Sequence, residues 1–313
     1  MARKRGGGGG RQRARQRAQY DELDKYPVMP PHAFARIVRD KQTLNIIYQI
    51  IEPPLTKKEQ EQRDEIMDIF IRSLTANIEE IDSNPEAYVR TAMDKVIKSY
   101  SMKINKKSKS KLFYYLRRDL IGYGKMDVLM NDVNVEDISL DGTNIPIFAY
   151  HRKFESVETT CVWETDEELE SYVIKLAQRC GKHISVAEPL LDATLMDGSR
   201  IVMKLGHEIS TRGSAFCIRR FKDDPFSPAD IVAFRTMSSL MVAYLWIAFQ
   251  NEVPMLFVGG TASGKTTTLN AMCIFIPWQM KIVSIESTRE VNIPQPNWVP
   301  GLTRQGFGGE SEE

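Results

Sequence analysis

A chain of 313 residues holds two ordinary domains or one large one, and its 42% apolar and 27% charged residues are those of a globular protein with ample material for a core. Cys161, Cys180, Cys217 and Cys273 are far apart with no C-x-x-C pair, which excludes a zinc-finger spacing or a disulfide framework and suits a reducing cytosol. The net charge of +1 conceals an uneven distribution, taken up below.

Residues 1–20 carry Arg3, Lys4, Arg5, Arg11, Arg13, Arg15 and Arg17 around a run of glycines. Such a segment buries too little apolar surface to fold and is expected to be a disordered basic tail, able to touch anionic lipid or nucleic acid. From Gln42 to Tyr123 the pattern is helical. Ile66, Ile69, Phe70, Leu74 and Ile78 recur at three- and four-residue steps, bounded by Pro53-Pro54 and Asn84-Pro85. A second helix is predicted over Glu86–Met102, a basic linker over Lys103–Lys111, and a third helix carrying Leu112, Phe113, Leu116 and Leu120. These apolar stripes are core positions.

Beyond Gly122-Tyr123-Gly124 the period shortens. Val128–Met130, Asp137–Leu140, Ile145–Tyr150 and Val157–Trp163 read as strands, with a turn at Asp141-Gly142. Thr165-Asp166-Glu167-Glu168 opens a helix that runs towards Gly181, and strands follow over Arg200–Leu205 and Ser214–Ile218. Pro225 to Pro228 is a hinge signal. The longest apolar run, Leu240–Phe249, is about half of a bilayer crossing and reads as a buried helix. No apolar core follows the first basic residues, so no secretory signal is read. His32, His151, His183 and His207 have no metal-ligand spacing.

The organising stretch is PMLFVGGTASGKTTTLN, from Pro254 to Asn270. Met255–Val258 predicts a buried strand. Gly259, Gly260, Thr261, Ala262, Ser263, Gly264, Lys265 and Thr266 then fit the phosphate-loop pattern G-x-x-x-x-G-K-[ST], and Thr267 opens a helix. Two glycines let the backbone aim successive N–H groups at an anion, and the helix adds the positive end of its dipole. Lys265 reaches the β- and γ-phosphates of ATP, and the Thr266 hydroxyl is placed to hold Mg²⁺. Past the loop, Lys281–Ile285 reads as another buried strand ending in Glu286-Ser287-Thr288-Arg289-Glu290. Glu286, with Glu290 next, is the candidate to orient the metal or water.

The series FVGGTASGKTTTLNA, KIVSIESTREV and GLTRQGFGG, with RRDLIGYGKMDVLMND, VEDISLDG, AEPLLDATLMDGSRI and STRGSAFCIRRF upstream, resembles the secretion ATPase family of type II and type IV systems. Within it, the chain resembles the archaeal branch that drives archaellum and type IV pilus-like assembly. The likeness covers about residues 112–309. It implies an α/β fold in which a RecA-like ATPase domain, incomplete at its C-terminus, follows an α+β N-terminal domain and a helical, basic extension. With the tail and helices read above, the expected division is a disordered basic tail over 1–41 and a helical region over 42–111, to which the resemblance adds the α+β domain over 112–224 and the ATPase domain over 225–313.

The resemblance also implies a homo-hexameric ring, ATP with Mg²⁺, a membrane platform partner, no specific nucleic acid, and a cytoplasmic place at the inner face of the cell membrane. Its phosphate-reading arginines fall on Arg200, Arg212, Arg219 and Arg220, with Arg212 and Arg219 foremost. Two departures stand out. Ser287 takes the place of an aspartate, and no Walker B strand or histidine segment follows, so a fragment of a longer ATPase is expected, with part of its central sheet unformed. The rival readings are a non-catalytic nucleotide-binding subunit and, behind it, a nucleic-acid-translocating ATPase.

Overall fold

The structure, a computed structural model, describes residues 19–73, 84–208, 210–220, 225–260, 263–286 and 289–303. The basic residues before Gln19, Leu74, Ile78, Thr261, Ala262, Ser287 and the closing GFGG stretch lie outside the described residues. The fold is mixed α/β. One sheet has the strand order β1-β2-β3-β6-β5-β4-β9-β8-β7 and a second pairs β10 with β11. The chain divides into two compact units, one formed by residues 1–174, 185–189 and 203–217 and the other by 175–184, 190–202 and 218–313.

In the first unit, β1 (Tyr20–Met29), β2 (Ala33–Asp40) and β3 (Ile46–Ile51) form an antiparallel ladder. This corrects the expectation of a disordered tail through residue 41 and of helix from residue 42. Ala33, Ala35 and Ile37 alternate inward with no exposed surface, so one face of β2 is core. Pro27 is tolerated because β1 is an edge strand. The Asp132 carboxylate then fastens the strands: Tyr26 and Tyr48 each donate a hydroxyl to its Oδ2 at 2.7 Å. A compositional reading dominated by arginine and glycine had no means of finding that long-range anchor.

Helices α1 (Lys57–Ser73), α2 (Pro85–Ser99) and α3 (Lys106–Leu120) follow. They bury Ile66, Phe70, Val89, Met93, Val96, Leu112 and Leu116 against one another. The basic stretch expected as a linker is mostly the first turns of α3, because the Asn105 side chain caps the helix by accepting from Ser108 N–H. Val128–Met130, expected as a strand, lies in α4 (Asp127–Asn131), a single turn whose Val128, Leu129 and Met130 are all buried. A run buried on every side carries no period by which helix and strand differ. The predicted strands appear as β4 (Val135–Leu140), β5 (Pro146–His151) and β6 (Glu155–Val162), and β6 lies parallel to β3. Helix α5 (Asp166–Arg179) starts on its three acids as expected. Strands β7 (Leu190–Thr194), β8 (Arg200–Lys204) and β9 (Ala215–Arg219) complete the larger sheet.

The second unit continues with α6 (Pro228–Ala233), α7 (Ser239–Gln250), α8 (Lys265–Cys273), β10 (Ile282–Glu286) and β11 (Trp298–Leu302). Its core gathers Ile231, Val242, Ala271 and Met272, with Phe257 packed against them. Two expectations are corrected here. Met255–Val258 has no ladder partner among the described residues, and Leu256 and Val258 are 86% and 81% exposed. Among the described residues, strand β10 pairs in parallel with β11 alone, and its Val283 and Ile285 are exposed as well. Such runs read as buried because parallel strands are normally covered on both faces. Here, the described residues of the unit supply a sheet of only two strands. The expected buried helix Leu240–Phe249 forms as α7, but Leu240, Tyr244 and Ile247 face outward. No helix among the described residues is long and apolar enough to cross a membrane.

Candidate functional site

Gly264 sits at φ 82° immediately before α8, a left-handed conformation that glycine adopts without strain, and it turns the loop into the helix. Lys265 and Thr266 therefore occupy the first turn, where N–H groups lack partners within the helix. Lys265 Nζ donates to the Gly260 carbonyl at 2.5 Å, and Ser263 Oγ donates to the same oxygen at 2.8 Å. The loop thus holds its lysine on its own backbone. A phosphate oxygen competes for it with a full charge, and charge-assisted bonds of this kind are roughly twice as strong as neutral ones.

A cavity of about 220 Å³ opens beside this turn, within the second unit. Thr266, Thr267 and Asn270 of α8 line it together with Arg200, Arg219, Arg220, Arg289 and Glu290. Four arginines and Glu290 are thus among its lining residues, and Arg200 is paired with Asp192 at 2.6 Å. A concave site rich in arginine attracts anions. Of the phosphate-reading candidates, Arg200, Arg219 and Arg220 are thus brought to the recess that holds Thr266 and Thr267. Arg212 belongs to the first unit and lines a different recess with Thr143, Asn144, Glu164, Asp166 and His207. There Thr143 and His207 both bond to the Asp166 carboxylate, which holds its proton affinity below the usual carboxylate range.

Glu286 ends β10. Its Oε2 accepts the backbone N–H groups of Glu290 and Val291 at 2.8 and 2.9 Å. Its Oε1 is buried and accepts no hydrogen bond among the described residues. An orphaned acceptor of that kind and the Thr266 hydroxyl are hard oxygen donors, which fits Mg²⁺. No group of three or more His, Cys, Asp or Glu among the described residues could hold a metal alone. Burial pushes the Cys161 and Cys273 thiols up, to about 12 and about 11, so neither is a nucleophile at neutral pH.

Sequence reasoning missed Arg289 and Asn270. Arg289 lies in the stretch Glu286-Ser287-Thr288-Arg289-Glu290, where the two glutamates alone suggest a role. Asn270 was hidden in the helix after the motif. Its Nδ2 donates to Glu290 O at 3.2 Å and its Oδ1 accepts Asn292 N–H at 2.9 Å, an arrangement with no local signature.

Residues 155–303 match the family model described as Type II/IV secretion system protein. An uncharacterized protein of Methanocaldococcus jannaschii is 34% identical over 291 residues, covering 92% of this chain and 52% of the relative. A second uncharacterized protein of the same organism is 42% identical over 164 residues, covering 52% of this chain and 65% of the relative. The chain thus spans about half to two thirds of the length of these curated relatives. Among solved structures, the VirB11 ATPase of the Brucella suis type IV secretion system, in complex with sulphate, is similar at 22% identity and a TM-score of 0.31. That match covers 56% of this chain and 59% of the other. A superposition at that score carries no argument about the site. The segment 155–303, which holds the phosphate loop and the recess beside it, is thus similar to the Type II/IV secretion system protein family.

Proposed function

We propose that the chain binds and hydrolyses ATP with Mg²⁺, as a motor subunit for assembly of an archaeal pilus-like or archaellum filament or for type II-like secretion. The observation that carries the reading is the recess in which Thr266 and Thr267, at the start of α8, meet Arg200, Arg219 and Arg220. In this reading Lys265 leaves the Gly260 carbonyl for the β- and γ-phosphates, and the loop amides bind the same group. Thr266 and Glu286 would hold Mg²⁺, whose chemistry is to neutralise charge between the β- and γ-phosphates. Glu290 and the buried carboxylate oxygen of Glu286 orient water. Arg200, Arg219 and Arg220 balance the phosphate charge, and Arg212 is a further phosphate-binding candidate by the resemblance alone. The likeness to the Type II/IV secretion system family supports a homo-oligomeric ring, proposed as a hexamer, at the inner face of the membrane against a platform protein. The relatives in Methanocaldococcus jannaschii support the archaeal assignment.

The neutral Ser287 beside Glu286 favours one alternative, a nucleotide-binding subunit with little turnover. ATP turnover with Mg²⁺ separates the two. The motor reading expects phosphate release that Glu286→Gln suppresses at least about tenfold, the size of effect expected from a group that orients the nucleophile. Tight ATP binding by this chain with no phosphate release contradicts it.

A further inference from the structure

Neither the loop motif nor the family resemblance assigns a role to Arg289. The guanidinium nonetheless lines the recess with Thr266 and Thr267. The backbone just beyond it is fixed from two sides. Glu286 Oε2 accepts from Glu290 N–H and Val291 N–H at 2.8 and 2.9 Å. Asn270, only 8% exposed, reaches across from α8 to bond Glu290 O and Asn292 N–H. The segment is therefore tied to the helix that the phosphate loop begins. The side chain is positioned too. Its guanidinium carbon lies 5.4 Å from the centroid of the Trp298 ring, within cation–π range, and Trp298 Nε1 donates to Ser284 Oγ at 3.1 Å. Arg289 stays exposed, but its guanidinium is steadied over Trp298 on a segment that Asn270 ties to α8.

We propose that Arg289 is a phosphate-binding residue that contacts the terminal phosphate of a nucleoside triphosphate, so that this site tells triphosphate from diphosphate. The proposal rests on the nucleotide-binding reading above. The first turn of α8 takes the inner phosphates through its N–H groups. Glu286 stands at the strand end that orients metal and water at the terminal one. Arg289 follows it closely in sequence, and its planar fork pairs with two phosphate oxygens at once. Once that phosphate has left, the fork has no partner on the nucleotide.

The test is equilibrium binding of fluorescent ATP and ADP analogues, with Mg²⁺, to the chain and to Arg289→Ala, Arg289→Lys, Trp298→Ala and Lys265→Ala. Arg289→Ala is expected to weaken ATP about tenfold or more and ADP less than about threefold, since only the triphosphate reaches the guanidinium. Arg289→Lys recovers part of the loss, because a point charge lacks the fork. Trp298→Ala shows the same selectivity loss at smaller size. Arg289 is exposed, so the melting temperature of Arg289→Ala should match that of the unaltered chain. Equal weakening of ATP and ADP, or unchanged ATP binding, overturns the proposal. Lys265→Ala tells the two failures apart. If it weakens ATP while Arg289→Ala leaves the ATP-to-ADP ratio unchanged, this inference alone falls; if it too changes nothing, the nucleotide-binding reading falls with it.

Discussion

Replacing Asn270 by alanine tests whether the segment after β10 is truly tied to the phosphate-loop helix. Asn270 makes two hydrogen bonds across that junction, at 3.2 and 2.9 Å, and is 8% exposed. The substitution removes both and strands the Glu290 carbonyl and the Asn292 N–H. A buried group left unsatisfied costs about 1–3 kcal/mol. Glu290 is exposed and Asn292 half-buried, so water re-solvates them in part. The low end of the range applies, giving about 2 kcal/mol for the pair. For a chain of this size that lowers the melting temperature by about 3 °C, read by differential scanning fluorimetry. Asn270→Asp keeps the acceptor for Asn292 N–H and loses the donor, so it should fall between the two. If Asn270→Ala melts with the unaltered protein, the clamp does not hold the segment, and the argument that Arg289 is steadied loses its basis.

Two further predictions concern other parts of the molecule. In the first unit, Glu59 Oε1 accepts from Ser108 Oγ at 2.6 Å and Oε2 from Thr56 N–H at 2.8 Å, and these bonds hold its carboxyl down at about 2. A depressed folded value stabilises above the unfolded value of about 4.5, and that stability is lost as pH falls towards about 2. Glu59→Gln should therefore cost about 1–2 kcal/mol in denaturant titrations at pH 7, with the difference narrowing below pH 4.5; a constant difference would refute the assignment. At the site, Thr266→Ala should remove most of the gain in ATP affinity that Mg²⁺ confers, while affinity in chelator stays within about twofold of the unaltered chain. An undiminished Mg²⁺ gain would exclude Thr266 as a ligand.

How much of this was legible in the residues follows their physics. The phosphate loop was, because Gly264 and Lys265 at fixed spacing are dictated by local backbone geometry, and α8 starts where the motif requires. Alternation and turn residues exposed β4, β5 and β6, which bury one face each. What escaped was long-range. Strands β1–β3 are secured by Ala33, Ala35 and Ile37 and by the Asp132 anchor far along the chain, none of which composition reveals. The apolar segment Met255–Val258 was read as a buried strand because apolar residues state a preference for burial, not whether a neighbouring strand is there to pair with them. Arg289 and Asn270 escaped for the same reason, since their roles come from convergence on one recess rather than from spacing.

The central claim is that the loop at Gly259–Thr266 grips the phosphates of ATP. Isothermal titration of Mg-ATP into the chain and into Lys265→Ala tests it most directly. A saturable signal for the unaltered chain, weakened at least about tenfold by loss of the lysine charge, is the predicted result. Equal affinity in both, or no binding to the unaltered chain, contradicts it.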